Sequence, residues 1–309
     1  MKDLKGYLFI LGAVSFWGVS ATIAKFLFTH QVDTIVLVQM RMTISTILVL
    51  IIILVKHRDL LRIEKSDLVR FAFLGILGLA GSNITYYVTI KLTNVSTAIL
   101  LQYMAPLLVL GYAALTGDEE LGFGKIAAGI ISLAGCFLAV GGLNVSGSGG
   151  LQSINHYGLL WGIGAAICWS FTNISLRHLL KKYKVWTVLI YSFMFASIFW
   201  QFFNPPWKIY EAHYTGQQWG VFFIFAMSSI AIPHSLYFSG AQYLTPSRSI
   251  ITASFEPVVA IVSAFLILGE SLTPIQITGA ILVISAILIL QLQREKPEDA
   301  VLTIEVDNT

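Results

Sequence analysis

The 309-residue chain is 56% hydrophobic and only 11% charged, with a mean hydropathy of +0.79 and a formal net charge of +3. A soluble domain carries about 25% charged residues to cover its surface, so a water-soluble enzyme is excluded and lipid is the principal solvent. The small positive balance gives no argument for nucleic acid. Cys136 and Cys168 stand in apolar runs without a second ligand at metal spacing, so neither a disulfide framework, a metal site nor a cofactor is expected.

A membrane-spanning helix needs about 20 mostly apolar residues, at about 1.5 Å each across about 30 Å of hydrocarbon. Ten stretches qualify, at 6–28, 32–55, 68–90, 94–116, 123–142, 157–180, 185–204, 219–243, 247–268 and 274–292. The first follows Lys2 and Lys5 as a signal peptide would, yet it is too long for one and has no small-residue cleavage site, so it reads as a permanent helix. The connections are short except for a Gly/Ser linker at 143–156, which separates two sets of five spans, 6–142 and 157–292. Residues 293–309, rich in Glu and Asp, read as a disordered cytoplasmic tail.

Short cytoplasmic loops are enriched in Lys and Arg. With the N-terminus inside, fifteen of the nineteen basic residues fall on the cytoplasmic side, Lys25, Lys91 and Lys208 lie near the outer face, and Arg41 lies within a helix. Both termini are therefore expected to be cytoplasmic in a multi-pass protein of the cell membrane.

The two sets of five align at an offset of about 152 residues. Gly12, Ala13 and Trp17 meet Gly164, Ala165 and Trp169. Leu92-Thr93 meets Leu244-Thr245, Pro106 meets Pro257, Gly117 meets Gly269, and Gly129 meets Gly279. An odd number of spans per half inverts the second half relative to the first. The expected fold is an all-α membrane protein of ten transmembrane helices in two inverted five-helix repeats, with a substrate site near the midplane and alternating access.

Four features carry a resemblance: the FWG at 16–18, Arg41 in VQMRMTIS, a proline within the fourth and ninth spans, and LGESLTPIQITGA at 268–280. On these, the chain over about residues 6–292 resembles the EamA-type members of the drug/metabolite transporter superfamily. That resemblance implies a metabolite or drug transporter, commonly an exporter, with a central cavity between the halves, and it slightly favours amino-acid or related metabolite export. Strict duplication fails where it matters: the counterpart of Arg41 falls near Met194 and that of Glu256 near Ala105, so any polar site is asymmetric.

Of sixteen Asp and Glu residues, Glu256 alone sits at membrane depth, about 15 Å from the start of the ninth span. Burying its charge costs about 2.5–3.5 kcal/mol on insertion scales, so it must face a cavity, find a partner or take a proton. It reads as the coupling or cation-binding group. Arg41 lies at similar depth. It can hold a substrate carboxylate in a bidentate fork or pair with a carbonyl or with Glu256. Because the arginine belongs to the family pattern while family substrates vary, a supporting or gating role is favoured over substrate definition.

Pro106, Pro233 and Pro257 fall within spans, where a missing N–H frees an upstream carbonyl and kinks the helix, as a hinge or as a static bend. Trp17, Gln102, Tyr103, Trp169, Asn173, His234 and Tyr237 lie in the inner parts of spans and are further candidates for binding substrate or protons. An aromatic cage for an organic cation and ordinary helix packing are both open for the Trp and Tyr residues. For His234 a neutral, hydrogen-bonded ring is favoured over a proton relay. Gly75, Gly78, Gly81, Gly158 and Gly162 are assigned to close helix contact.

The expected function is secondary transport of a small metabolite, an amino acid or related zwitterion, or of a drug, driven by a gradient because no ATP-binding motif is present. The alternative is an organic-cation or quaternary-amine carrier using Glu256 and aromatic side chains. An intramembrane enzyme lacks a second acid or nucleophile motif, and a channel would want rings of like residues. The expected partners are the lipid bilayer, a small-molecule substrate and protons, in a monomer or weak dimer.

Overall fold

The computed structural model describes residues 2–28, 34–93, 95–140, 156–269 and 273–292. The predicted tail and all of the predicted linker except His156 lie outside them. Among the described residues no strand occurs, and each predicted span is helical over most of its described length.

The helices are α1 (Lys2–Phe28), α2 (Thr34–Lys56), α3 (Lys65–Leu92), α4 (Val95–Gln102), α5 (Ala105–Thr116), α6 (Phe123–Ala139), α7 (His156–Leu180) and α8 (Val185–Phe203). There follow α9 (Pro206–Glu211), α10 (Gly216–Ala241), α11 (Pro246–Ala253), α12 (Glu256–Leu268) and α13 (Pro274–Leu292). Eight helical rods among the described residues are long and apolar enough to cross a membrane, counting α4 with α5 and α11 with α12 as one rod each; α6, at 17 residues, is a shorter apolar helix. Large apolar side chains such as Val55, Leu115, Leu160 and Leu266 are exposed on the outside of the bundle, where lipid takes the place of water.

The inversion is visible in the helix crossings. Gly135 of α6 packs on Val283 while Gly279 of α13 packs on Ala139, so the fifth span of each repeat runs antiparallel to the other. A Cβ at Gly135 would lie 2.8 Å from the Val283 backbone nitrogen, which is why both crossing positions are glycine. Spans two and seven also cross antiparallel. Gln39 Nε2 donates to Gln201 Oε1 (2.7 Å), Asn204 Nδ2 donates to Gln39 Oε1 (2.6 Å), and Thr46 bonds the Phe193 carbonyl (3.2 Å). Span one packs on span eight through Gly6 and Gly240, and span six packs on span three through Gly158, Gly164 and Gly78, the same arrangement with the repeats exchanged.

Two irregularities recur in both repeats. The fourth and ninth spans are broken, at Tyr103–Met104 and at Ser254–Phe255, and Pro106 and Pro257 sit in the first turn of the new helices α5 and α12. The sequence suggested kinks in continuous helices; the structure corrects this to interrupted ones, with each proline where its missing N–H costs nothing. Both half-helices end on a left-handed glycine, Gly117 (φ 71°) and Gly269 (φ 69°). The third and eighth spans each contain a wide π-helical turn, Leu74–Ala80 in α3 and Met227–Ala231 in α10.

One end of the bundle is tied across the repeats by ionic contacts. Asp67, almost fully buried, accepts from Lys182 Nζ (2.7 Å), Tyr183 Oη (2.6 Å) and Arg70 (2.8 Å), and Glu64 also pairs with Lys182 (2.5 Å). Glu119, buried beside Lys125, accepts from the Ser247 hydroxyl (2.5 Å), and Asp3 approaches Arg248 at 3.9 Å. The hydrogen bonds that Lys182 donates to Asp67, and next to Glu64, hold its ammonium well above its ordinary range.

Candidate functional site

The broken helices bring the candidate residues to the seam between repeats. Tyr103, at the break before α5, donates its hydroxyl to Glu256 Oε2 at the head of α12 (3.1 Å). Gln102 Nε2 donates to Ser82 Oγ of α3 (3.2 Å). Glu256 occupies the first turn of a helix, where the free N–H groups and the helix dipole favour a carboxylate.

Arg41 does not pair with Glu256. Its Nη2 donates to Asn83 Oδ1 (2.6 Å), and the guanidinium lies over Tyr87 and Phe225, 5.9 and 5.7 Å from the ring centroids. Asn83 is pinned in turn by its Nδ2, which donates to the Leu79 carbonyl within the π turn (2.7 Å). Tyr86 lies within electrostatic range of both Arg41 and Glu256. All of these residues except Leu79, Ser82 and Phe225 are half-buried and keep open surface. Neither Arg41 nor Glu256 has an oppositely charged side chain within ion-pair distance among the described residues.

Beside this polar group stands an aromatic cluster. Trp17 meets Trp169 edge to face (5.9 Å), His234 edge to face (5.2 Å) and Tyr237 (5.4 Å), and Trp169 meets Tyr237 (5.4 Å). Tyr237, fully buried, donates its hydroxyl to Asn173 Oδ1 (2.5 Å), whose Nδ2 donates to the Trp169 carbonyl (2.8 Å). His234 Nδ1 faces the Ile230 carbonyl at 3.1 Å, which assigns its proton to Nδ1.

Pro233 explains where Trp17 is anchored. Having no N–H, it cannot serve the carbonyls four or five residues upstream, Ser229 and Ser228. These accept instead from Trp17 Nε1 (3.1 Å) and Ser20 Oγ (3.0 Å) of α1. Freed carbonyls inside a membrane need such neighbours.

The sequence reading missed Asn83, Tyr86, Tyr87 and Phe225. The available signal was the run SNITYY at 82–87, unusually polar for the middle of a span. A small cleft lined by Tyr112, Asp118, Glu119, Arg177 and His178 lies at the charged end, with room for little more than water.

An inverted, duplicated bundle with interrupted helices meeting at its seam defines a multi-pass membrane transporter, not an enzyme. The chain belongs to the EamA-like transporter family, which it matches over residues 4–141 and again over 156–292. It is 25% identical over 298 residues to the uncharacterized inner membrane transporter YicL of Salmonella typhimurium, covering 94% of this chain and 97% of that one. It is 29% identical over 230 residues to the threonine/homoserine exporter RhtA of Escherichia coli K12, covering 73% and 72%. A crystal structure with 18% identity superposes with a TM-score of 0.75 over 93% of this chain and 97% of that one, a likeness of fold.

Proposed function

We propose that the protein is a secondary carrier that exports a small zwitterion, an amino acid or a close relative, by alternating access, with both termini in the cytoplasm. The observation that carries this is the pair of half-buried charges at the seam, Arg41 and Glu256, each held by a neutral partner. A charge left in this state in a membrane is costly, about 2.5–3.5 kcal/mol on insertion scales. A zwitterion answers both at once, its carboxylate meeting Arg41 and its ammonium meeting Glu256. The sequence alone favoured a supporting role for Arg41; its lack of an anionic partner among the described residues favours contact with substrate.

Glu256 is also the group that exchanges a proton or the substrate ammonium as access alternates, which couples transport to a gradient. The organic-cation alternative would use the rings of Trp17, Trp169 and Tyr237 as a cage. Those rings pack on one another, with Tyr237 fully buried, and this favours the zwitterion. Counterflow in proteoliposomes against the twenty common α-amino acids, with tetramethylammonium as the comparison, tests the reading. Uptake of tetramethylammonium without any amino acid would overturn it, and ohmic conductance would replace the carrier by a channel.

A further inference from the structure

The second repeat provides an internal control for the surroundings of Arg41. At the offset of 152 residues Asn83 corresponds to Ser235, and the two make equivalent bonds. Asn83 Nδ2 donates to the Leu79 carbonyl (2.7 Å) and Ser235 Oγ to the Ala231 carbonyl (2.6 Å). Both acceptors lie at the end of a π turn, Leu74–Ala80 or Met227–Ala231. A short polar side chain reaching back four residues thus follows the wide turn in either repeat. Beyond that bond the repeats differ. Asn83, with its nitrogen fixed on Leu79, turns its oxygen to Arg41 Nη2 at 2.6 Å, whereas the position corresponding to Arg41 falls near Met194 and brings no charge. The back-bond is shared architecture; the contact with Arg41 is particular to the first repeat.

We propose that Asn83 is a positioning residue that fixes Arg41 as the receptor for a substrate carboxylate and so makes the carrier select for one; this rests on the reading of Arg41 and Glu256 given above. The guanidinium carbon lies over the rings of Tyr87 and Phe225, and the Asn83 oxygen takes one of its terminal nitrogens. A neutral acceptor does this without cancelling the charge. An acid at position 83 would cancel it, because carboxylate and guanidinium form a strong paired hydrogen bond.

The test uses Asn83→Ser, which keeps the back-bond seen at Ser235, and Asn83→Asp, which keeps size. Asn83→Ser is expected to melt in detergent at the temperature of the unaltered protein, and Asn83→Asp, which has no donor for the Leu79 carbonyl, somewhat below it but still as a folded protein. In counterflow with an equimolar mixture of the twenty common α-amino acids, Asn83→Ser raises KM about tenfold at nearly constant maximal rate, because the guanidinium loses its preorganisation. Asn83→Asp lowers amino-acid uptake by roughly a hundredfold but leaves uptake of ethanolamine, which has no carboxylate, no lower than before. An unchanged KM in Asn83→Ser, normal amino-acid uptake in Asn83→Asp, or a parallel loss of amino acid, ethanolamine and melting temperature overturns the proposal. Arg41→Met separates the two levels: if it loses amino-acid uptake while the Asn83 variants do not, only the role of Asn83 falls. If Arg41→Met, like the Asn83 variants, transports amino acids normally, or the unaltered protein transports none, both fall.

Discussion

Trp17 and Trp169, equivalent residues of the two repeats, touch edge to face with ring centroids 5.9 Å apart. Residues related by a two-fold axis meet only where the axis passes, so this contact places the pseudo-two-fold between α1 and α7. The axis continues between spans four and nine, where Tyr103 meets Glu256, and between spans five and ten, at Gly135 and Val283. The two tryptophans are nevertheless unequal. Trp17→Phe leaves the Ser229 carbonyl without its indole donor and should cost about 1–3 kcal/mol beyond the lost packing, whereas Trp169→Phe, which strands no such carbonyl, should cost the packing alone. Thermal unfolding in detergent, compared between the two variants, checks the order.

Glu256→Gln keeps the size of the side chain and its bond to Tyr103 but removes the ionisable group. The variant is expected to purify as a stable protein and to lose pH-gradient-driven accumulation. Transport with an unchanged pH dependence would make Glu256 structural and leave His234 as the next residue to alter.

Gly279 is expected to tolerate no side chain larger than its own hydrogen. A Cβ there would lie 2.6 Å from the Gly135 carbonyl oxygen and 2.9 Å from the Ala139 Cα, backbone atoms that cannot rotate aside. Gly279→Val should therefore destabilise by more than the roughly 1–3 kcal/mol of ordinary overpacking. Gly220, with open space around it, accepts Ala without such loss. Melting temperatures and yields of the two variants test the contrast.

The order of helical spans and the duplication were legible because each rests on local composition or on spacing along one chain. Partner choice was not, because it depends on azimuth. Arg41 and Glu256 both lie within long apolar rods, yet the helix faces they occupy give them to Asn83 and Tyr103 instead of to each other. The prolines illustrate the same boundary. That Pro233 would free a carbonyl could be read from its missing N–H; that Trp17 and Ser20, more than 200 residues away, would take the freed carbonyls could not. The π turn of α3 left no signal of its own, since its glycines read equally as contact points.

Between the acid range in which Asp67, its carboxyl held below the usual range by the hydrogen bonds from Lys182 and Tyr183, takes up a proton and a strongly alkaline medium, the charged end of the bundle should be insensitive to pH. Lys182 has its folded pKa raised, so the stability it contributes is fully present below the ordinary lysine range and is lost only as pH rises through the raised value. Lys182→Met should remove that alkaline transition and lower the melting temperature at neutral pH. The melting temperature as a function of pH distinguishes the two proteins.

The proposed orientation predicts opposite accessibility for two exposed positions, Glu211 after α8 and Lys182 before it. In a chain with Cys136 and Cys168 replaced by Ala, a cysteine at 211 should react with an impermeant maleimide in intact cells, and one at 182 only after lysis. The reverse pattern would invert the whole chain in the membrane.

The wide turn at Leu74–Ala80 acts as a correction of angle within a single rod. At its start, Gly75 lies against Ser192, Phe195 and Ala196 of α8; beyond its end, Gly81 meets Cys168 of α7 while Asn83 faces Arg41. One residue of an α-helix is worth about 100° of rotation, and the wide turn takes up one such residue, so closing it to α-helical geometry with no residue removed would turn one half of α3 by about that amount against the other. Either the seat against α8 or the hand offered to Arg41 would point elsewhere, with every side chain still at its proper depth. The chemistry of the seam is therefore set by phase as much as by composition, and a change that no hydropathy profile would register is enough to disconnect it.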